Sequence, residues 1–168
     1  MFDSCVLGVD PGLTTLGLAA VGRRDRTPEI VFAATVRTPA DLAEPSRLRA
    51  IHEAVRDAIA EHRPDAVAVE RVAWNTNQRS AMHVARATGV VLLAAAEAGL
   101  PVEEYGPLEV KMAVTGQGNA DKKQVRDALE RLHGLRDVPT QPDAADAVAV
   151  ALCHLTQSKL RRVARLAT

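Results

Sequence analysis

The chain has 168 residues, 47% hydrophobic and 25% charged, a composition that suits one globular domain with a single core and excludes a disordered or fibrous polypeptide. Lysine plus arginine equals aspartate plus glutamate at 21 each, so net charge gives no argument for a nucleic-acid partner, and only the distribution of charge can. Aromatic residues are 2% of the chain, which leaves Ala, Val and Leu to build the interior.

The N-terminus, MFDSCV, has no basic region followed by an apolar one. The longest apolar runs, 90–96 and 147–153, are far too short to cross a bilayer, so a cytoplasmic protein without membrane contact is expected. Cys5 and Cys153 have neither ligand nor disulfide spacing and read as small buried hydrophobes. The stretch 6–21, VLGVDPGLTTLGLAAV, climbs through apolar residues to Asp10, turns at Pro11 and Gly12, and returns as a second apolar run from Leu16, the pattern of two hairpinned strands. Residues 29–38, rich in β-branched side chains and bounded by Pro28 and Pro39, predict a third strand. Between Ser46 and His62, Leu48, Ile51, Val55 and Ile59 recur at helical spacing, with Pro64 as the stop.

Residues 65–69 (DAVAV) form a short apolar run ending at Glu70. Reached by a helical crossover, such a strand lies parallel to an earlier one, here the first, which brings Asp10 and Glu70 to one rim of a sheet. The polar segment 72–78 holds the only Trp, Trp74. Residues 80–98 predict a long helix, apolar all round at 90–96, and therefore buried on more than one side, within the core or against a second copy of the chain. A short strand at 101–105 and a helical turn carrying Lys111 follow. The loop 115–124 leads into a helix capped by Asn119 or Asp121, with Lys122, Lys123 and Arg126 concentrating positive charge. After the loop 134–141, Pro142 opens a last, nearly apolar helix whose first turn presents Asp143 and Asp146 on one face. Residues 1–158 read as a single domain and 159–168 as a basic, mobile C-terminal tail.

Asp10, Glu70, Asp143 and Asp146 thus sit at element ends. Each has a plainer account alone: an Asx-turn at Asp10, a salt bridge from Glu70 to Arg71, helix N-terminal charge for the other two. Grouped, they would repel one another and raise each other's pKa unless cations intervene. Two Mg²⁺ ions, which take oxygen ligands, answer that need, and a pair about 3.5 to 4 Å apart forms the clamp of in-line phosphoryl displacement.

GVDPG with Asp10, VERV with Glu70, GQGNADKKQV with Lys122 and DAADAVAVA with Asp143 and Asp146 resemble, in order and over nearly the whole chain, the RuvC-type Holliday-junction endonucleases. The resemblance implies an α/β, ribonuclease H-like fold, with a five-stranded mixed sheet (second strand antiparallel) flanked by helices. It implies a homodimer, read here through the helix 80–98, that nicks opposed strands of a four-way DNA junction beside a branch-migration motor of the RuvA and RuvB type. By motif position Asp10, Glu70, Asp143 and Asp146 are the catalytic, metal-binding acids, with two Mg²⁺ per site and Mn²⁺ as substitute. Lys111 and Lys122 match basic residues that contact DNA or assist the phosphate chemistry. Lys123, Asn77 and Arg79 are further candidate DNA contacts. In many members an aromatic follows the E-x-V motif directly and wedges into the junction; here that position is Ala73. Trp74, one residue later, either replaces it by a shift of the loop or packs over the dimer or a helix edge.

The expected reaction is metal-dependent phosphodiester hydrolysis leaving a 5′ phosphate and a 3′ hydroxyl, with Lys122 or Lys111 stabilising the charge that develops on phosphorus. Three rivals remain. A phosphotransferase of the sugar kinase and actin superfamily would need a second phosphate-binding hairpin, for which the chain has no room. A related nuclease processing ribosomal RNA precursors, and a non-catalytic junction-binding scaffold, share most of the same features. His83, His133 and His154 read as surface or capping histidines.

Overall fold

A computed structural model describes residues 2–72 and 78–166, with side chains over 2–72 and 80–157. Five strands, β1 (Ser4–Asp10), β2 (Thr15–Arg24), β3 (Thr27–Arg37), β4 (Ala66–Glu70) and β5 (Val102–Tyr105), form one sheet in the order β3-β2-β1-β4-β5. β2 is antiparallel to both of its neighbours, whereas β4 runs parallel to β1 and β5 parallel to β4. This is the mixed sheet anticipated above. β3 starts two residues before the stretch read from the sequence and includes Pro28; an edge strand tolerates a proline that cannot donate to a ladder. Asp25 and Arg26 turn the β2–β3 hairpin with positive φ at both positions, as a tight hairpin demands.

Period-2 alternation divides the interior. Leu7, Val9, Leu16, Leu18, Val67 and Val69 face α1 (Glu44–His62) and α2 (Gln78–Glu97). Val6, Ala19, Val21 and Ala68 face the other layer, made of α3 (Pro107–Thr115), α4 (Lys122–Arg131) and α5 (Pro142–Leu166). The β1–β4 register is pinned at its start: the Cys5 amide donates to Asp65 Oδ2 at 2.8 Å and the Asp65 amide returns a bond to the Cys5 carbonyl at 2.8 Å. A slip of one residue would turn Glu70 to the opposite face.

Other expectations shift in detail. Lys111 sits on a full nine-residue helix rather than a single turn. Of the two caps considered for α4, Asp121 is the one used: it accepts from the Gln124 amide at 2.8 Å while Gln124 Oε1 accepts from the Asp121 amide, also at 2.8 Å. α5 carries its backbone to Leu166, into the segment read as a tail. Both cysteines are buried thiols, and Cys153 Sγ donates to the Glu109 carbonyl at 3.9 Å. Among the described residues no helix is long and apolar enough to cross a membrane.

Candidate active site

Asp10 and Glu70 are the last residues of β1 and β4, and the parallel register pairing Val9 with Val69 leaves them side by side at the carboxyl end of the sheet. As even-numbered positions of their strands, both belong to the face that carries α5. Crevices outside the carboxyl ends of strands are where open α/β sheets bind ligands.

What brings α5 to them is a furrow of small residues. A Cβ on Gly17, the β2 partner of Asp10, would collide with the Asp143 carbonyl and lie 3.2 Å from the Asp10 Cβ. A Cβ on Gly8 would collide with the Ala147 carbonyl and stand 2.8 Å from the Ala151 Cβ. With Ala19 and Ala68 beside these glycines and Ala144, Ala147 and Ala151 buried on the helix, α5 rests almost on the sheet backbone. The first turn of α5, with Asp143 and Asp146, therefore reaches the ends of β1 and β4. Neither glycine stands out in the sequence; only the low aromatic content hints at so close an approach.

The electrostatics are those of crowded anions. Asp10 and Glu70 share a hydrogen bond. Burial, then the charge and hydrogen bond of Glu70, then Asp146 and Asp143, push the Asp10 carboxyl up from 3.8 to about 8. Burial raises Glu70 as well, and Asp146 adds to it, while Lys122 and Lys111 oppose. A carboxylate pair so placed holds a proton between its members at neutral pH. Lys122, the first residue of α4, reaches across to Asp146 with Nζ to Oδ2 at 2.9 Å, and this bond holds its ammonium above the usual lysine range. Asp143 Oδ1 accepts from Thr15 Oγ1 at 3.4 Å.

The four predicted acids are thus in mutual electrostatic reach. Among the described residues, however, no three His, Cys, Asp or Glu side chains stand as a ready metal cage. Like-charge repulsion and the engagement of Asp146 by Lys122 account for the spread. An all-oxygen donor set in which one carboxyl must keep a proton to be tolerated fits a hard divalent cation.

Lys111 and Lys122 line one cleft of about 140 Å³ with Glu70 and Asp146, whereas Lys123 lies on the adjoining face of α4, near Thr140 and Pro142. Arg126, read above as part of the positive charge concentrated with Lys122 and Lys123, is instead spent on structure, bonding the carbonyls of Pro139 at 2.6 Å and Val138 at 2.8 Å and pairing with Glu130 at 3.1 Å. Arg71 pairs with Glu109 and the Glu104 carbonyl, not with Glu70. Trp74, Asn77 and the Arg79 side chain lie outside the described residues. His133 Nε2 meets the Val114 carbonyl at 2.8 Å and His154 Nδ1 the buried Tyr105 hydroxyl at 3.0 Å, both packing roles.

Sequence reading missed the brace of the β1–β2 turn. Arg47 of α1 donates from Nε to Thr38 Oγ1 at 2.8 Å and from Nη2 to Thr14 Oγ1 at 3.0 Å and the Leu13 carbonyl at 3.2 Å; buried Thr38 also donates to that carbonyl. Paired hydroxyls in DPGLTT were the visible signal, but the partner of Thr14, Arg47, lies 33 residues away and that of Thr15, Asp143, lies 128 away.

The family model described as crossover junction endodeoxyribonuclease RuvC matches residues 6–154. The chain belongs to the RuvC family. RuvC of Rhodococcus opacus (strain B4) is 51% identical over 162 residues, covering 95% of this chain and 86% of the relative. RuvC of Syntrophomonas wolfei is 44% identical over 155 residues, covering 92% and 90%. The solved structure of T. thermophilus RuvC in complex with Holliday junction substrate superposes with a TM-score of 0.88 at 36% identity, covering 94% of this chain and 96% of that one. The ribonuclease H-like fold and the enzyme class anticipated from the sequence both hold: this RuvC-family chain is an endodeoxyribonuclease.

Proposed function

We propose that the chain resolves four-way DNA junctions by paired, symmetric nicks that leave 5′-phosphate and 3′-hydroxyl ends, with Asp10, Glu70, Asp143 and Asp146 as the catalytic acids. The observation that carries the reading is the hydrogen-bonded Asp10–Glu70 pair facing the Asp143–Asp146 turn across the glycine furrow. Its substrate rests on similarity to the T. thermophilus enzyme, whose structure holds a Holliday junction.

These acids would hold two Mg²⁺ ions, with Mn²⁺ as substitute. Bound there, such ions supply Lewis acidity toward the attacked phosphate and lower the pKa of an attacking water. Asp10 would hold a cation only as its carboxylate, so the raised pKa would make cation binding weaker at lower pH. Lys122, paired with Asp146 in the structure, and Lys111, which lines the same cleft, would offer their ammonium groups to the phosphate oxygens. Lys123 follows the backbone of the bound strand. Trp74 stacks on a base and Asn77 and Arg79 contact phosphates, assignments that follow the family resemblance alone.

Two active sites on opposed strands require a dimer. α2 supports one: Met82, Leu92 and Leu93 are exposed along a stripe with the exposed small residues Ala85, Gly89 and Ala96. The same reading places the chain in the cytoplasm beside a motor of the RuvA and RuvB type.

The test is cleavage of a synthetic four-way junction with Mg²⁺ or EDTA, beside duplex DNA and a structured ribosomal RNA precursor. Symmetric nicks on the junction, dependent on the cation, are expected. Preference for the RNA would transfer the assignment to the RNA-processing relatives. Junction binding without a nick would leave only a scaffold.

A further inference from the structure

We propose that a polar pocket on the flank of the β1–β2 turn is a second phosphate subsite, taking the phosphodiester next to the one hydrolysed on the same strand. The proposal rests on the nuclease reading above and adds a site to it.

The pocket is a cavity of about 280 Å³ between the turn, α1 and the first turns of α2. Its polar walls are Thr14, Thr15, Arg47, Ser80 and His83. Three features suit it to a phosphate. Thr14 Oγ1 already accepts from Arg47, so its remaining proton is available to an acceptor in the pocket. Ser80 stands in the first turn of α2, at the positive end of the helix dipole, which favours an anion. The His83 Nδ1 is buried without a hydrogen-bond partner, 3.8 Å from Glu44 Oε1, while Glu44 is already engaged by Arg86 at 2.6 Å. A buried polar atom left over in this way marks a place where a further group completes the network.

Position names the occupant. Thr15 lines the pocket and also donates to Asp143, so the pocket opens directly beside the acids, on the side away from Lys111 and Lys122. A strand whose scissile phosphate lies over Asp10 passes Gly12 and Thr14 on leaving, and its next phosphate meets the Arg47, Ser80 and His83 walls. The subsite thereby fixes the direction of the strand across the acids, which the lysine cleft alone does not.

The experiment measures junction affinity in an Asp10→Asn background, which prevents cutting, with Thr14→Val, Ser80→Ala and His83→Gln added singly and together. Each single change is expected to raise Kd roughly 3- to 10-fold, with melting temperature unchanged for Ser80→Ala and His83→Gln and slightly lowered for Thr14→Val, which also removes an acceptor of Arg47. Arg47→Gln is expected to lower the slope of log K against log salt by about 0.9, one phosphate's worth. Junctions carrying one methylphosphonate identify the phosphate: at one position beside the cut the neutral group weakens binding to the parent about tenfold and leaves the triple variant unaffected. Equal methylphosphonate penalties in parent and variant, or unchanged Kd in every variant on a junction the parent binds, would overturn the subsite and leave the nuclease standing. A parent that does not bind the junction sinks both.

Discussion

Asp10 is held where its ionised form is least welcome, and two measurable properties follow. Its folded pKa, about 8, lies above the ordinary 3.8, so the folded chain binds a proton that the unfolded chain releases. The stability this gives is complete below pH 4 and is lost as pH rises toward 8. In EDTA the melting temperature should therefore fall across that window, and Asp10→Asn should flatten the dependence and stabilise the protein by roughly 1–3 kcal/mol at pH 8. The same substitution should abolish nicking while junction binding persists, checked on one preparation by gel shift and cleavage. Because cations compete with that proton, the Mg²⁺ concentration for half-maximal rate should rise steeply as pH drops from 8 to 6. Both strand-end acids were legible in the sequence, since a carboxylate closing a buried apolar run needs an explanation. The Lys122–Asp146 bond was not, because the two residues are 24 apart and only the fold of α4 against α5 joins them.

For the elements, the decisive contact is α5 on β1 and β2. Gly17→Ala would drive a methyl group into the Asp143 carbonyl, and neither backbone can yield without moving the helix or bending the strand. A cost of roughly 1–3 kcal/mol and loss of nicking well beyond the loss of folded protein are expected, by denaturant titration alongside initial rates. Helices and strands were legible from periodicity, within about two residues at most ends. α3 reads as no more than a turn because its apolar residues fall on no single face: Val110 and Val114 are buried while Leu108 and Met112 point outward. The furrow escaped notice because small residues carry no periodic signal of their own; a glycine facing a helix reads like a glycine in a turn.

The whole molecule presents two faces with different tasks. One layer, α3 to α5, brings Asp143, Asp146 and the lysines to the strand-end acids; the other, α1 and α2, braces the turn through Arg47 and leaves an apolar stripe outward. If that stripe joins two copies, Leu93→Asp, at a position 53% exposed, should leave monomer stability within about 0.5 kcal/mol, convert the species in sedimentation to a monomer, and replace paired nicks by single ones. The sheet order was legible because hairpin, crossover and parallel return leave few topologies open. Pairing between copies is written only as an excess of apolar residues on one helix, and that pattern does not say what covers them.

Main chain lies against main chain where α5 crosses β1 and β2, with no cushion of long side chains between. The separation of the two carboxylate pairs is therefore a fixed gauge, insensitive to rotamer changes elsewhere. Drift on the outer faces of α1 and α2 can soften the protein over generations without changing the spacing of its acids, whereas one added methyl in the furrow shifts that spacing at once.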